Sequence, residues 1–278
     1  MKCLHTNPII NDMVESPIVY NPYNSKNRLL RKSDVQAILS QTNFTVQNCD
    51  LYQTAMVHSS YVKRSEYQTP TGEPTTLADR PDNCLELFEE SYERLEHLGD
   101  SVLGAVVSSY LFKRFPGENE GFYTNLKKEI VCNEMLGSLS QKIGLDKFYI
   151  ISKHNEDICK GRTNNKKLGD ILEAFIGALW LDSNYNFQVV YKFIVGMIEK
   201  YINIPKILMN NRNYKDQLQK VYQGRFHYTP TYTMLSSGVN SYTMAAVDKT
   251  GSHIGIGTAP TKKQAEQLAA KNALKHFS

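Results

Sequence analysis

The chain has 278 residues, 41% hydrophobic and 22% charged, the balance of an ordinary globular protein with room for one large domain or two smaller ones. No run of 18 consecutive apolar residues occurs and the start carries no apolar segment like a signal peptide, so neither a membrane span nor secretion is expected. The net charge of +4 is unevenly spread: residues 1–210 carry 23 Lys and Arg against 25 Asp and Glu, and residues 211–278 carry 9 against 3. A basic tail behind a near-neutral body points to a polyanion-binding module, with a solvated lysine surface as the blander reading. Cys3, Cys49, Cys84, Cys132 and Cys159 are far apart and form no CxxC pair. A disulfide framework or zinc site is therefore not expected, and the pattern suits a reducing, intracellular compartment.

Residues 1–32, with Pro8, Pro17, Pro22 and many Asn and Ser, read as an extended, partly disordered arm. Ser33 is placed to cap a helix bearing Val35, Ile38 and Leu39 on one face. A second short helix is expected over Asn48 to His58, and His58 reads as a structural hydrogen-bonding residue. Residues 63–83 are polar, with three prolines and a glycine, and read as a loop. Ser91 to Leu111 reads as a helix whose periodicity extends back as far as Asn83. In it Glu93, Glu96 and Asp100 fall at i, i+3 and i+7, along one face. Leu95, Leu98, Val102, Leu103 and Val106 fill the rest, and Gly99 and Gly104 are tolerated where another backbone must come close. An apolar helix with embedded acids makes a poor solvated surface but a good wall for a hard, oxygen-liking cation.

Residues 112–148 read as two helical pieces broken at Pro116 and Gly117, with Leu126, Ile130, Met135, Leu136 and Leu139 in the core. Asn133 and Glu134 fit helix packing and capping. Residues 149–167 form a polar, basic loop suited to a phosphate backbone; Lys166 and Lys167 read equally as surface lysines. In LGDILEAFIGALWLD, residues 168–182, Asp170 and Glu173 share a helix face, while Ala174, Gly177 and Ala178 allow close helix packing. Asp182 reads as a cap or surface acid. A helix over 187–202 closes the body, and Pro205 with NNRN marks a linker. The tail then reads as a helix (214–224), three strands (229–237, 241–251, 253–258) and a final Lys-rich amphipathic helix.

The string ERLEHLGDSVL, residues 93–103, closely resembles the acidic signature of the ribonuclease III family, with His97 where the family usually has Phe. Residues 168–182 resemble the family's second acidic motif, with Gly169 in place of Ala. Residues 63–83 exceed the family's usual connection and so read as an insertion. The tail, ending in TKKQAEQLAAKNAL, is similar to the double-stranded RNA-binding domain.

The resemblance implies an all-α catalytic domain, a ribonuclease III-like helical bundle, over residues 33–203. A linker (204–211) and a small α+β (α-β-β-β-α) double-stranded RNA-binding domain (212–278) follow. It implies an endoribonuclease that cuts double-stranded RNA by metal-dependent hydrolysis, as a homodimer through the catalytic domain. The products would carry 5′-phosphate and 3′-hydroxyl ends with short 3′ overhangs. Glu96, Asp100, Asp170 and Glu173 would be the Mg²⁺ ligands, with Mn²⁺ able to substitute. Asp100 and Glu173 would carry catalysis with Glu93, which matches an acid nearer the subunit interface.

In the tail, Lys262 and Lys263 open a helix whose N-terminus already favours phosphate. Gln219 matches a minor-groove contact, but Lys220 stands where Glu is frequent, and the SSGVNS loop lacks the Gly-Pro-x-His element. Phosphate contact is thus expected to outweigh groove reading. Two other readings stay open: a catalytically silent duplex binder, which would be expected to have lost a ligand acid, and an assembly protein using the fold to dimerise.

Overall fold

The structure, a computed structural model, describes residues 19–68, 72–209 and 214–277. Its contacts divide the chain into two units, Met1–Ile202 and Asn203–Ser278. In the first, the elements run β1 (Val19–Tyr20), α1 (Lys32–Ile38), α2 (Cys49–Ala55), β2 (Tyr67–Gln68), β3 (Pro74–Leu77), α3 (Glu93–Arg114), α4 (Glu120–Ile130), α5 (Asn133–Lys142), α6 (Lys153–Asp157), α7 (Asn165–Asp182) and α8 (Phe187–Tyr201). Among the described residues no helix is long and apolar enough to cross a membrane.

The body is organised by its most thoroughly buried helix. On α7, Leu168, Ile171, Leu172, Ala174, Phe175, Ile176, Ala178 and Leu179 are all fully buried, so this helix is surrounded rather than amphipathic. Tyr52 of α2 and Phe193 of α8 both pack on Phe175, with ring centroids 5.1 and 5.6 Å away. Helix α3 crosses α7 at backbone contact. A Cβ on Gly99 would lie 1.7 Å from the Glu173 carbonyl oxygen, and one on Gly177 would lie 2.3 Å from the Leu95 carbonyl oxygen. Gly104, expected to serve the same purpose, does not: its nearest neighbour is the flexible Lys127 ammonium at 3.4 Å.

Several expectations are corrected here. Helix α1 starts at Lys32, because the Arg31 backbone N–H donates to Asp34 Oδ2 (2.9 Å) and fixes the first turn two residues before a Ser33 cap would. Helix α3 starts at Glu93 and not at Asn83. The backbone of 83–92 is engaged elsewhere: Phe88 N–H donates to Tyr61 O (3.2 Å), and Tyr92 N–H donates to Val57 O (2.8 Å). Cys84, Leu87 and Tyr92 of that segment are buried.

The 63–83 segment is not a plain loop. β2 and β3 pair antiparallel, and β3 pairs parallel with β1 (Val19↔Thr76, Tyr20↔Leu77); residues 69–71 lie outside the described residues. Pro74 sits at the first position of its strand, where a missing N–H costs no ladder bond.

Of the expected arm, residues 1–18 lie outside the described residues. Residues 19–31 are fastened to the body. Tyr23 and Leu30 are buried, and Asn24 and Asn27 each donate a side-chain N–H to Ile151 O (3.2 and 3.0 Å). In the basic loop 149–167, Arg162 is spent internally, on the Glu156 carboxylate (2.8 Å) and the carbonyls of Asp146 and Tyr149. Asp182 accepts from Asn48 N–H (2.7 Å) and the Tyr52 hydroxyl (3.1 Å), tying the end of α7 to the start of α2.

In the second unit, the expected linker contains α9 (Ile204–Met209), and residues 210–213 lie outside the described residues. Then come α10 (Tyr214–Phe226), β4 (Thr231–Gly238), β5 (Ser241–Val247), β6 (His253–Ala259) and α11 (Lys262–Leu274), with the strands in antiparallel order β4-β5-β6. Ala265, Ala269, Ala270 and Ala273 bury the inner stripe of α11 completely. The helix lies so close to β6 that a Cβ on Gly255 would meet Ala269 O at 2.3 Å.

These approaches set the sign of glycine substitutions. Gly99→Ala and Gly177→Ala are expected to destabilise the body by about 3 kcal/mol, the cost of overpacking against backbone. Gly104→Ala is expected to stabilise it, by up to about 1 kcal/mol of helix propensity. Urea unfolding of the three variants checks both signs.

Candidate active site

The α3–α7 crossing brings together acids 70 and more positions apart. Carboxylate oxygens of Glu96, Asp170 and Glu173 lie within 4.8 Å of one another. Asp170 is buried, at 7% exposure, and Glu96 and Glu173 are half-buried. Burial is the chief reason that the Glu173 carboxyl is pushed up to about 8, followed by the charges of Asp100, Glu96 and Asp170. Burial also raises Glu96, with Asp170 next, against the lowering pull of Lys167. A set of oxygen donors that repel one another this strongly is chemically suited to a hard divalent cation.

Asp100, the fourth expected ligand, stands outside this group of three. It is exposed, one turn along α3 from Glu96, and its charge still bears on Glu173. Glu93 is exposed one turn before Glu96 and lines a separate cavity of about 360 Å³ with Ser59, Val62, Arg64, Glu89 and Arg94.

Three further groups at the site escaped the sequence reading. The Tyr92 hydroxyl donates to Asp170 Oδ2 (3.3 Å), and Lys167 Nζ lies 3.4 Å from the same oxygen and 3.3 Å from the Tyr92 hydroxyl. Tyr149 is fully buried beside Tyr92, with ring centroids 6.3 Å apart. Lys167 had a signal available: three residues before Asp170, it shares a helix face with it. Tyr92 and Tyr149 had none, since only tertiary packing brings their rings to the acids. His58 has the structural part expected of it. Its Nδ1 accepts from Ser60 N–H (3.0 Å), and burial, then the Lys167 charge, push its imidazole down to about 4.

In the second unit, Lys263 and Gln219 line one cavity of about 320 Å³ with Lys215, Thr229, Pro230 and Tyr232. Lys262 is exposed at the start of α11, outside that lining, behind the Thr261 hydroxyl that accepts from Gln264 N–H (3.3 Å). Lys220 is paired with Asp216 at 3.0 Å.

The Ribonuclease III domain family matches residues 93–184, from the first residue of α3 to just beyond α7, and the Double-stranded RNA binding motif matches residues 214–276. The Ribonuclease 3 of Geobacillus thermodenitrificans is 33% identical over 251 residues, which is 88% of this chain and 91% of that one. The chain belongs to the ribonuclease III family. A Probable ribonuclease 3 of Acanthamoeba polyphaga mimivirus is 30% identical over 264 residues; the chain spans 47% of that longer protein. The solved nuclease domain of ribonuclease III from Campylobacter jejuni, 26% identical, covers 62% of this chain and 99% of that domain, at a TM-score of 0.49. This chain is therefore a nuclease that hydrolyses phosphodiester bonds, with double-stranded RNA as its partner.

The raised Glu173 carboxyl fixes a pH dependence. The folded state holds that proton more tightly than the unfolded chain does. Its stabilising effect is complete below the ordinary carboxylate range and is lost as pH rises through about 8. Without divalent cation, the melting temperature is expected to fall between about pH 5 and about pH 8.5, less so in Glu173→Gln. Mg²⁺ is expected to raise it more at the upper pH, where no proton has to leave. Thermal scans across pH, with and without Mg²⁺, check both.

Proposed function

We propose that this ribonuclease III cleaves double-stranded RNA as a homodimer, with Mg²⁺, or Mn²⁺ in its place, held by Glu96, Asp100, Asp170 and Glu173. The observation that carries this reading is the meeting of three carboxylates within 4.8 Å from helices that come together only in the fold. When bound, the cation would activate water and neutralise charge at the phosphate. Glu96, Asp170 and Glu173 form its inner wall. Asp100, exposed at the rim, closes the set on the side open to substrate. Glu173 and Asp100 would carry the catalysis, with Glu93 as a supporting acid.

Water adds at phosphorus and the bond to the 3′ oxygen breaks. That oxygen takes up a proton and the phosphate stays on the 5′ end. One chain holds one such acid cluster among its described residues, while a duplex has two strands. A two-fold pair of protomers supplies one site per strand, and staggered cuts leave short 3′ overhangs. Lys262 and Lys263 contact phosphates and Gln219 faces the minor groove, a division that reads A-form shape rather than sequence. Cysteines 49, 84, 132 and 159 are unpaired, in keeping with work in a reducing compartment inside the cell.

The test is cleavage of an end-labelled RNA duplex. Cutting is expected in Mg²⁺, not in EDTA, and Glu173→Gln is expected to lose at least about a hundredfold in rate while still binding the duplex. Binding without cutting in either metal would overturn the reading. Lys262→Ala and Lys263→Ala are each expected to weaken binding of all duplexes alike and to lower the slope of log affinity against log salt by about 1. Binding isotherms at several salt concentrations check this.

A further inference from the structure

Lys167 lies where its helix does not favour a cation. It is the third residue of α7, and the Asn164 side chain caps that end by accepting from the N–H groups of Lys166 and Lys167. The helix dipole is positive there and opposes a lysine. The ammonium turns forward to Asp170 Oδ2 at 3.4 Å and to the Tyr92 hydroxyl at 3.3 Å. The Tyr92 hydroxyl reaches the same Asp170 oxygen, at 3.3 Å. The Asp170 side chain is 10% exposed and that of Lys167 37%, so the pair sits at the wall of the acid cluster and not on open surface. A buried carboxylate is costly without a partner, and this one has a positive charge and a hydroxyl of the protein's own.

We propose that Lys167 is a resident counter-ion that competes with the divalent cation for Asp170 and so sets how much cation the enzyme requires. The proposal rests on the reading of Glu96, Asp170 and Glu173 as the cation site. Lys167 is a positioning residue: it acts on the cation through Asp170, with Tyr92 holding the ammonium and the carboxylate in one hydrogen-bonded triangle. A divalent cation entering the cluster must take the Asp170 oxygen from the ammonium and accept its repulsion. The cluster is thereby held together at low cation concentration, and its affinity is kept below what the acids alone would give.

The test is titration of the full chain with Mg²⁺, and separately with Mn²⁺, in the absence of RNA, followed by calorimetry and by the rise in melting temperature. Lys167→Met is expected to bind the first cation about tenfold more tightly than the wild type, the effect of removing one unit charge beside the site. Lys167→Gln is the second neutral variant, should the first fold poorly, and carries the same expectation. Lys167→Arg keeps the charge and is expected to stay near the wild-type affinity. A lysine that merely props the fold predicts the opposite sign, weaker cation binding in the neutral variants. Unchanged or weaker binding there, with clear binding by the wild type, would overturn the competition and leave the cation site standing. No cation uptake by the wild type would instead overturn the cation site, and the competition with it.

Discussion

The contact on which the site depends carries no charge. The Glu173 carbonyl oxygen occupies the space that a side chain at residue 99 would fill, and the Leu95 carbonyl does the same at residue 177. Two helices in backbone contact cannot slide or roll without meeting a neighbour's atoms. The residue whose backbone is pinned at the crossing is the one whose carboxyl belongs to the cluster. Glu96, one turn before Gly99, is thereby delivered to Glu173 and to Asp170, one turn behind it. A single methyl at either glycine would force the axes apart by an amount that matters at carboxylate separations of a few ångström.

Holding acids this close works against stability, and the surroundings limit the cost in two ways. Some of the charge is suppressed: burial and mutual repulsion raise Glu173 and Glu96. The rest is matched by groups of the chain itself, Lys167 and the Tyr92 hydroxyl at Asp170. His58, so close to these residues, cannot help. Its own burial and the Lys167 charge keep it neutral, and its Nδ1 is committed to Ser60. The division of labour follows burial. Asp170, the most deeply buried acid, has its partners within the protein, whereas Asp100 and Glu93, at the exposed rim, are solvated.

Much of this was legible in the chain because it is local. Helical spacing placed Asp170 and Glu173 on one face, and small residues at 174, 177 and 178 announced a close neighbour. What escaped the sequence depends on partners distant along the chain. Asn24 and Asn27 look like markers of a loose arm until Ile151 supplies their hydrogen bonds from 127 and 124 positions away. The polar residues around Pro74 look like a loop until β1 offers an edge. The periodic run from Asn83 would be helical alone, but its N–H groups are drawn to Val57 and Tyr61. Arg162, in the basic loop expected near a phosphate backbone, is consumed by Glu156 and two carbonyls. In each case a weak local preference yields to a specific hydrogen bond with a partner distant along the chain or in another element.

The same logic separates the lysines of the second unit. Charge alone made the nine basic residues of 211–278 interchangeable. Geometry ranks them: Lys215 is bound to Glu266 at 2.7 Å and lies over the Tyr232 ring, and Lys220 is paired with Asp216. Lysines already matched by a carboxylate release fewer counter-ions on meeting a phosphate. Lys262 and Lys263 have no such ion pair at 4 Å among the described contacts, and they stand in the first turn of a thirteen-residue helix where the dipole adds to their field. The β4–β5 connection is a tight turn with Asn240 at φ 53° and Val239 almost wholly exposed, so an apolar tip stands where a groove-reading loop would need donors. The geometry of these lysines and of that turn suits contact with the sugar–phosphate frame of a duplex better than reading of its bases.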